Sequence, residues 1–193
     1  MADQTFTSGQ ILTAAQMTTL QGNSGLVVVT PTGATGGTIS GSTVTIGAGV
    51  SSVAVAGAFS SSFDAYKIVV SNGTPSADSV IRLILGSSVT GYYAARNGLT
   101  WSTGARSDGV DNNAAIWSAV GTSLTNGLSA EITLVNPGLA KYTTVGAFYS
   151  NITGSVNVSG LHQVATAFTG FTISPVSGTW TGGTVIVYGY RLS

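Results

Sequence analysis

The feature that most constrains this chain is a two-residue alternation of apolar and polar or small side chains. It is interrupted every few residues by glycine, asparagine or proline. Thr43-Val44-Thr45-Ile46 and Ser52-Val53-Ala54-Val55 show the alternation plainly. Val80-Ile81-Arg82-Leu83-Ile84-Leu85 and Glu131-Ile132-Thr133-Leu134-Val135 are rich in β-branched or large apolar residues. Successive side chains of a strand point to opposite faces, so a period of two buries one face and leaves the other to solvent. The candidate strands of the long C-terminal region are Tyr66–Ser71, Ser79–Gly86, Ala114–Val120, Ala130–Asn136, Thr143–Ser150, Leu161–Phe168, Phe171–Ser174 and Thr184–Arg191. Asn72-Gly73, Asn97-Gly98, Asn126-Gly127, Asn136-Pro137-Gly138 and Pro175 punctuate them. Short strands with such turns and no helical period predict a mainly β fold, an antiparallel β-sandwich of jelly-roll type. Ser87–Asn113 lacks the period and is expected to be the main irregular segment, where binding usually resides.

Two further regions precede this domain. Residues 1–24 contain one helix signal: Thr13 and Gln16 fit a capping box, with Leu12 and Met17 as its hydrophobic staple and Gly22 as its stop. A helix of about nine residues is too short to be stable alone. Its apolar residues Leu12, Met17 and Leu20, with Phe6 and Ile11 upstream, therefore need a surface, either this domain or another protein. Residues 25–57 read as short Gly/Ser/Thr-rich strands at Gly25–Thr30, Thr38–Ile46 and Val50–Ala56, expected to form a β collar or stem. Residues 58–193 are the expected β-sandwich.

Charge removes several classes of function. Six basic and six acidic residues in 193 give no net charge, while the chain holds 27 glycines, 25 serines and 27 threonines. A folded monomer of this mass should expose roughly 8,500 Å², so charges are too sparse to prevent self-association. There is no basic footprint for nucleic acid or anionic lipid. No apolar run is long enough for a membrane-spanning helix, and Met1–Gln10 lacks the features of a secretory signal. Without cysteine there are no disulfides or thiolate metal sites.

The catalytic inventory is thin, and the expectation is a non-enzyme without cofactors. The one histidine, His162, falls in a predicted strand and reads as structural. Gly33–Gly41 is not followed by a helix that would make it a phosphate cradle. Of the six acids, only Asp108 and Asp111 lie close together. They are the sole candidates for Ca²⁺ ligation or for a glycosidase carboxylate pair, and turn capping explains them equally. Sequons at Asn72, Asn151 and Asn157 arise readily in a chain so rich in Ser and Thr. Tyr92, Tyr93, Trp101 and Trp117 lie in or beside the irregular interval and are the candidate receptor or glycan contacts, with core packing as the alternative.

Four blocks carry a family likeness. Phe6-Thr7-Ser8-Gly9-Gln10-Ile11-Leu12-Thr13-Ala14-Ala15-Gln16-Met17 resembles the start of many tailed-bacteriophage minor tail and fibre proteins. Phe59-Ser60-Ser61-Ser62-Phe63-Asp64-Ala65-Tyr66-Lys67-Ile68-Val69-Val70 is similar to a second block of those proteins, and Asn136-Pro137-Gly138-Leu139-Ala140 with Thr143-Thr144 to a third. Phe168-Thr169-Gly170-Phe171-Thr172-Ile173, continuing through Gly178-Thr179 to Val187-Tyr188-Gly189-Tyr190-Arg191, is the most specific. The resemblance implies a homotrimeric, non-enzymatic virion protein assembled in the host cytoplasm and carried on the particle exterior. Its partners would be its own copies, other virion proteins and, as an open role, a host-surface glycan. Phe6, Ile11, Leu12, Met17 and Leu20 would then anchor it in the virion. A short tail fibre or minor tail protein is the leading expectation, with a capsid decoration or head-fibre protein and a carbohydrate-binding adhesin module as alternatives.

Overall fold

The computed structural model describes residues 9, 11, 13–17 and 25–190. In chain order the strands are β1 (Leu26–Val29), β2 (Gly33–Thr35), β3 (Gly37–Ser40), β4 (Thr43–Ile46), β5 (Val53–Ala56), β6 (Ala65–Asn72), β7 (Thr74–Pro75), β8 (Ser79–Leu85) and β9 (Tyr92–Thr100). They continue with β10 (Arg106–Ala114), β11 (Trp117–Leu124), β12 (Gly127–Val135), β13 (Thr143–Ser150), β14 (Gly154–His162), β15 (Phe171–Pro175), β16 (Trp180–Thr181) and β17 (Thr184–Tyr190). All pairings between them are antiparallel.

One layer runs β10-β9-β14-β13-β12-β6-β17, with β1 and β4 sharing the far edge of β17. The other runs β11-β8-β15-β5-β2, and the β11–β12 hairpin links the two. Inward residues of the long strands other than β10, among them Ile68, Leu83, Ile132, Val158, Ile173 and Val187, join a single buried core. The expected antiparallel β-sandwich is therefore present, together with a short helical turn at residues 14–17.

The expectations depart from this structure in three places. Residues 26–56 do not stand apart as a collar: β1 and β4 pair with β17, and β5 pairs with β15, so these strands complete the same sheets. Ser87–Asn113 is mostly regular, forming the long β9–β10 hairpin. The strand expected at Leu161–Phe168 instead occupies Gly154–His162.

The registers give the sandwich two distinct ends. Leu26, Tyr190, Ala65, Val135, Thr144, Leu161 and Tyr93 form one transverse row, at the proximal end where β1 begins. Another row, Ser150-Ser155-Leu99-Arg106, crosses β13, β14, β9 and β10 near the opposite, distal end. Six residues along β14 separate the two rows, or about 20 Å at the rise of a strand.

Candidate functional site

At the proximal end, segments far apart in sequence pack on one another. Tyr66 Oη accepts a hydrogen bond from Ser60 N–H at 2.7 Å and donates to the Ser60 carbonyl at 2.8 Å. Phe59 meets Tyr66 edge-on at 4.9 Å and lies 5.6 Å from Phe171. Phe168 N–H donates to the Pro137 carbonyl at 2.8 Å, and Asn136 N–H to the Asp64 backbone carbonyl at 2.6 Å. Glycine is required at two contacts: a Cβ on Gly138 would clash with the Ser60 backbone, and one on Gly189 would lie 2.5–2.7 Å from ring carbons of Phe63. The segments around Phe59–Val70, Asn136–Ala140 and Phe168–Tyr190 thus meet in one corner.

The first block is described only in part. Gln16 N–H donates to Thr13 Oγ1 at 3.3 Å, and Thr13 N–H to Gln16 Oε1 at 2.9 Å, which is the expected capping box. Ile11 and Met17 are exposed, at 90% and 46%. The other proposed anchor residues, Phe6, Leu12 and Leu20, lie outside the described residues, as does Gly22.

The four candidate aromatic contacts are divided by the strand period. Tyr92 and Trp117 are completely buried, so for these two the core-packing reading holds and they cannot meet a ligand. Tyr92 packs edge-on to Trp117 at 5.0 Å; its hydroxyl accepts from Leu85 N–H at 2.8 Å and donates to the Ser88 carbonyl at 3.2 Å. Burial raises the Tyr92 pKa. Trp117 Nε1 donates to the Tyr93 carbonyl at 3.1 Å. Tyr93, the next residue along, faces outward and lines a shallow groove of about 680 Å³ with Val110, Thr144, Ser159 and Leu161. Trp101, in the β9–β10 turn, is 61% exposed.

Asp108 and Asp111 do not converge on a cation or a glycosidic bond. Three residues apart on β10, they face opposite sides. Asp108 pairs with Arg106 at 3.1 Å in the open. Asp111 turns inward, accepting from Ser118 N–H at 3.0 Å, Ser118 Oγ at 2.6 Å and Arg96 Nη1 at 3.2 Å. Arg96 also donates to Ser118 Oγ. This network fastens the β9–β10 hairpin to β11, and the sequence gives no local sign of it. Among the described residues no cluster of three or more His, Asp or Glu side chains forms a metal site.

His162 is fully buried against Tyr92, Trp117 and Phe168. Its Nε2 lies 2.8 Å from Ser88 Oγ and 3.1 Å from the Thr90 carbonyl. A carbonyl can only accept, so the Thr90 contact fits the tautomer with the proton on Nε2, in which that nitrogen is no base for Ser88. The Ser88 hydroxyl has the same carbonyl as an acceptor at 3.3 Å. Burial lowers the His162 pKa, so the ring is held neutral. As expected, it is a structural histidine.

On the outer face of β13, β14, β9 and β10, at the distal end, lies a second depression of about 340 Å³. It is lined by Asn97, Leu99, Arg106, Phe148, Ser155 and Asn157. Phe148, Asn157, Asn97 and Asp108 occupy directly opposed positions on the four strands. Phe148 and Asn157 also border a neighbouring depression of about 390 Å³ that contains Glu131, Thr133 and Gly146. The sequence marks Asn97 as a turn residue, Asn157 as a sequon and Asp108 as an acidic candidate, but gives no sign that they come together beside Phe148. No protein-family model, curated protein or solved structure matches the chain.

Proposed function

We propose that the chain is a structural subunit of a tailed-phage virion, a short trimeric tail fibre or minor tail protein with the sandwich facing outward. The observation that carries this reading is the proximal corner. Three separated blocks that resemble phage fibre proteins supply its hydrogen bonds, its aromatic cluster and its two obligatory glycines. The likeness therefore falls on residues that specify one packed unit rather than on Gly/Ser/Thr-rich composition. Exposed Ile11 and Met17 on the segment preceding β1 suit an anchor that another protein covers.

Deleting residues 1–24 should leave a soluble trimer, measured by light scattering, that no longer enters particles. Normal incorporation would remove the anchor, and a dilute, well-behaved monomer would remove the trimer. Copy number in purified virions separates the tail from the capsid: tens favour a fibre or minor tail protein, hundreds a decoration protein.

A further inference from the structure

We infer that copies of the chain meet through the outer face of the larger layer, the face formed by β10-β9-β14-β13-β12-β6-β17-β1. The inference rests on the trimer proposed above and names the surface that makes it.

This face is apolar where the solvent side of an antiparallel sheet is ordinarily polar. On one half, Ala65, Lys67 and Val69 of β6 stand opposite Tyr190, Tyr188 and Ile186 of β17. β1 extends two of these rows with Leu26 and Val28, which are 39% and 46% exposed. On the other half Tyr93 stands opposite Leu161, and Val110, 73% exposed, stands opposite Ala95. The three tyrosines, Val69, Ile186 and Leu161 lie outside the buried core. The smaller layer differs. Its outward residues Ser174, Thr172, Ala54 and Thr35 are polar or small, and Val80 and Ile84 pack against the core.

Size calls for a protein partner. Eight strands about 4.8 Å apart, with up to four outward positions along each, make a face of roughly 900 Å². Each side of a standard protein–protein interface buries ~800 Å². Interface cores are also enriched in tyrosine and depleted of charge.

Charge selects a second copy. The ionic side chains on the face neutralise one another: Lys67 pairs with Glu131 at 2.6 Å, and Arg106 with Asp108 at 3.1 Å. Identical faces therefore meet without like-charge repulsion, and a charged partner finds no net charge to match. A closed ring of three needs two unlike surfaces on each copy. The groove of about 680 Å³ beside Tyr93 and Leu161 lies on one half, and Tyr188 and Tyr190 lie on the other. Tyr93, an expected receptor or glycan contact, then sits between copies.

The test uses the full chain in sedimentation velocity at micromolar concentration. The wild type should sediment as a trimer. Leu161→Arg and Tyr188→Arg, one on each half, should each sediment as a monomer, with circular dichroism confirming that the strands persist. A second measurement avoids disruptive changes. The chain has no cysteine, so single thiols report access cleanly. Ser159→Cys lies on the face, whereas Val176→Cys is exposed outside it. In the trimer Ser159→Cys should react with maleimide at least tenfold more slowly than Val176→Cys. A trimer that persists with either arginine variant, or equal reaction of the two thiols, overturns this interface and leaves the trimer standing. Free reaction of Ser159→Cys in the trimer with protection in particles overturns it too, giving the face to another virion protein. A wild-type monomer defeats the proposed trimer and this interface with it.

Discussion

Replacing Asp111 tests how the sandwich is closed at its β10 edge. The Asp111 side chain is only 7% exposed and that of Arg96 18%. Asp111→Ala would leave the Arg96 guanidinium, the Ser118 N–H and the Ser118 hydroxyl without their shared acceptor. Removing one partner of a buried ion pair costs about 3–5 kcal/mol; the residual exposure of Arg96 favours the lower figure. A loss of about 3 kcal/mol corresponds to a fall in Tm of about 6–12 °C for a domain of this size. The control is Asp108→Ala, which breaks a pair whose side chains are 70% and 50% exposed and should cost no more than about 0.5 kcal/mol. Urea unfolding of both variants, together with an Arg96→Met and Asp111→Ala double-mutant cycle, reads the difference directly. If Asp111→Ala costs no more than Asp108→Ala, or the cycle shows no coupling, the network does not hold the hairpin and the reasoning fails.

Gly189→Ala should destabilise by about 1–3 kcal/mol, because the added methyl overpacks against the Phe63 ring; an unchanged urea midpoint would contradict the close approach. Tyr66→Phe removes both bonds to Ser60 and should cost about 1–2 kcal/mol in the same assay. His162 gives a pH signature. Its folded pKa is lowered from 6.5 by burial, so the unfolded chain binds the proton first. Stability should be flat above about pH 6.5 and fall as pH drops below it, by at most about 1.4 kcal/mol per pH unit, until the folded pKa is reached. His162→Gln should lose that slope between pH 6.5 and 5, and a slope that persists would place the proton elsewhere.

Much of the sandwich was legible because its strands state their period locally. Thr143–Ser150 was placed at its observed bounds, and Ser79–Gly86 and Tyr66–Ser71 to within a residue or so. The β9–β10 hairpin was not legible. Ala94-Ala95-Arg96-Asn97-Gly98 and Arg106–Ala114 have poor strand propensity, and their extended form is held by pairing with β14 and by Arg96 and Asp111. The apparent collar failed for a related reason: β1, β4 and β5 find partners more than a hundred residues away. At the candidate sites, residue type left open whether Tyr92 and Trp117 were contacts or core, and position parity puts them inside. Asn97, Phe148 and Asn157 became neighbours only through register.

The pairing of β17 also bears on how the protein is made. β17 lies between β6 on one side and β1 and β4 on the other, so the earliest strands dock on one of the last to be synthesised. While translation continues, β4 can pair only with β3 and β1 has no native edge to join, until residues as late as Tyr190 have left the ribosome. Loop closure over such distances makes folding slow, and unpaired strands are hazardous while exposed.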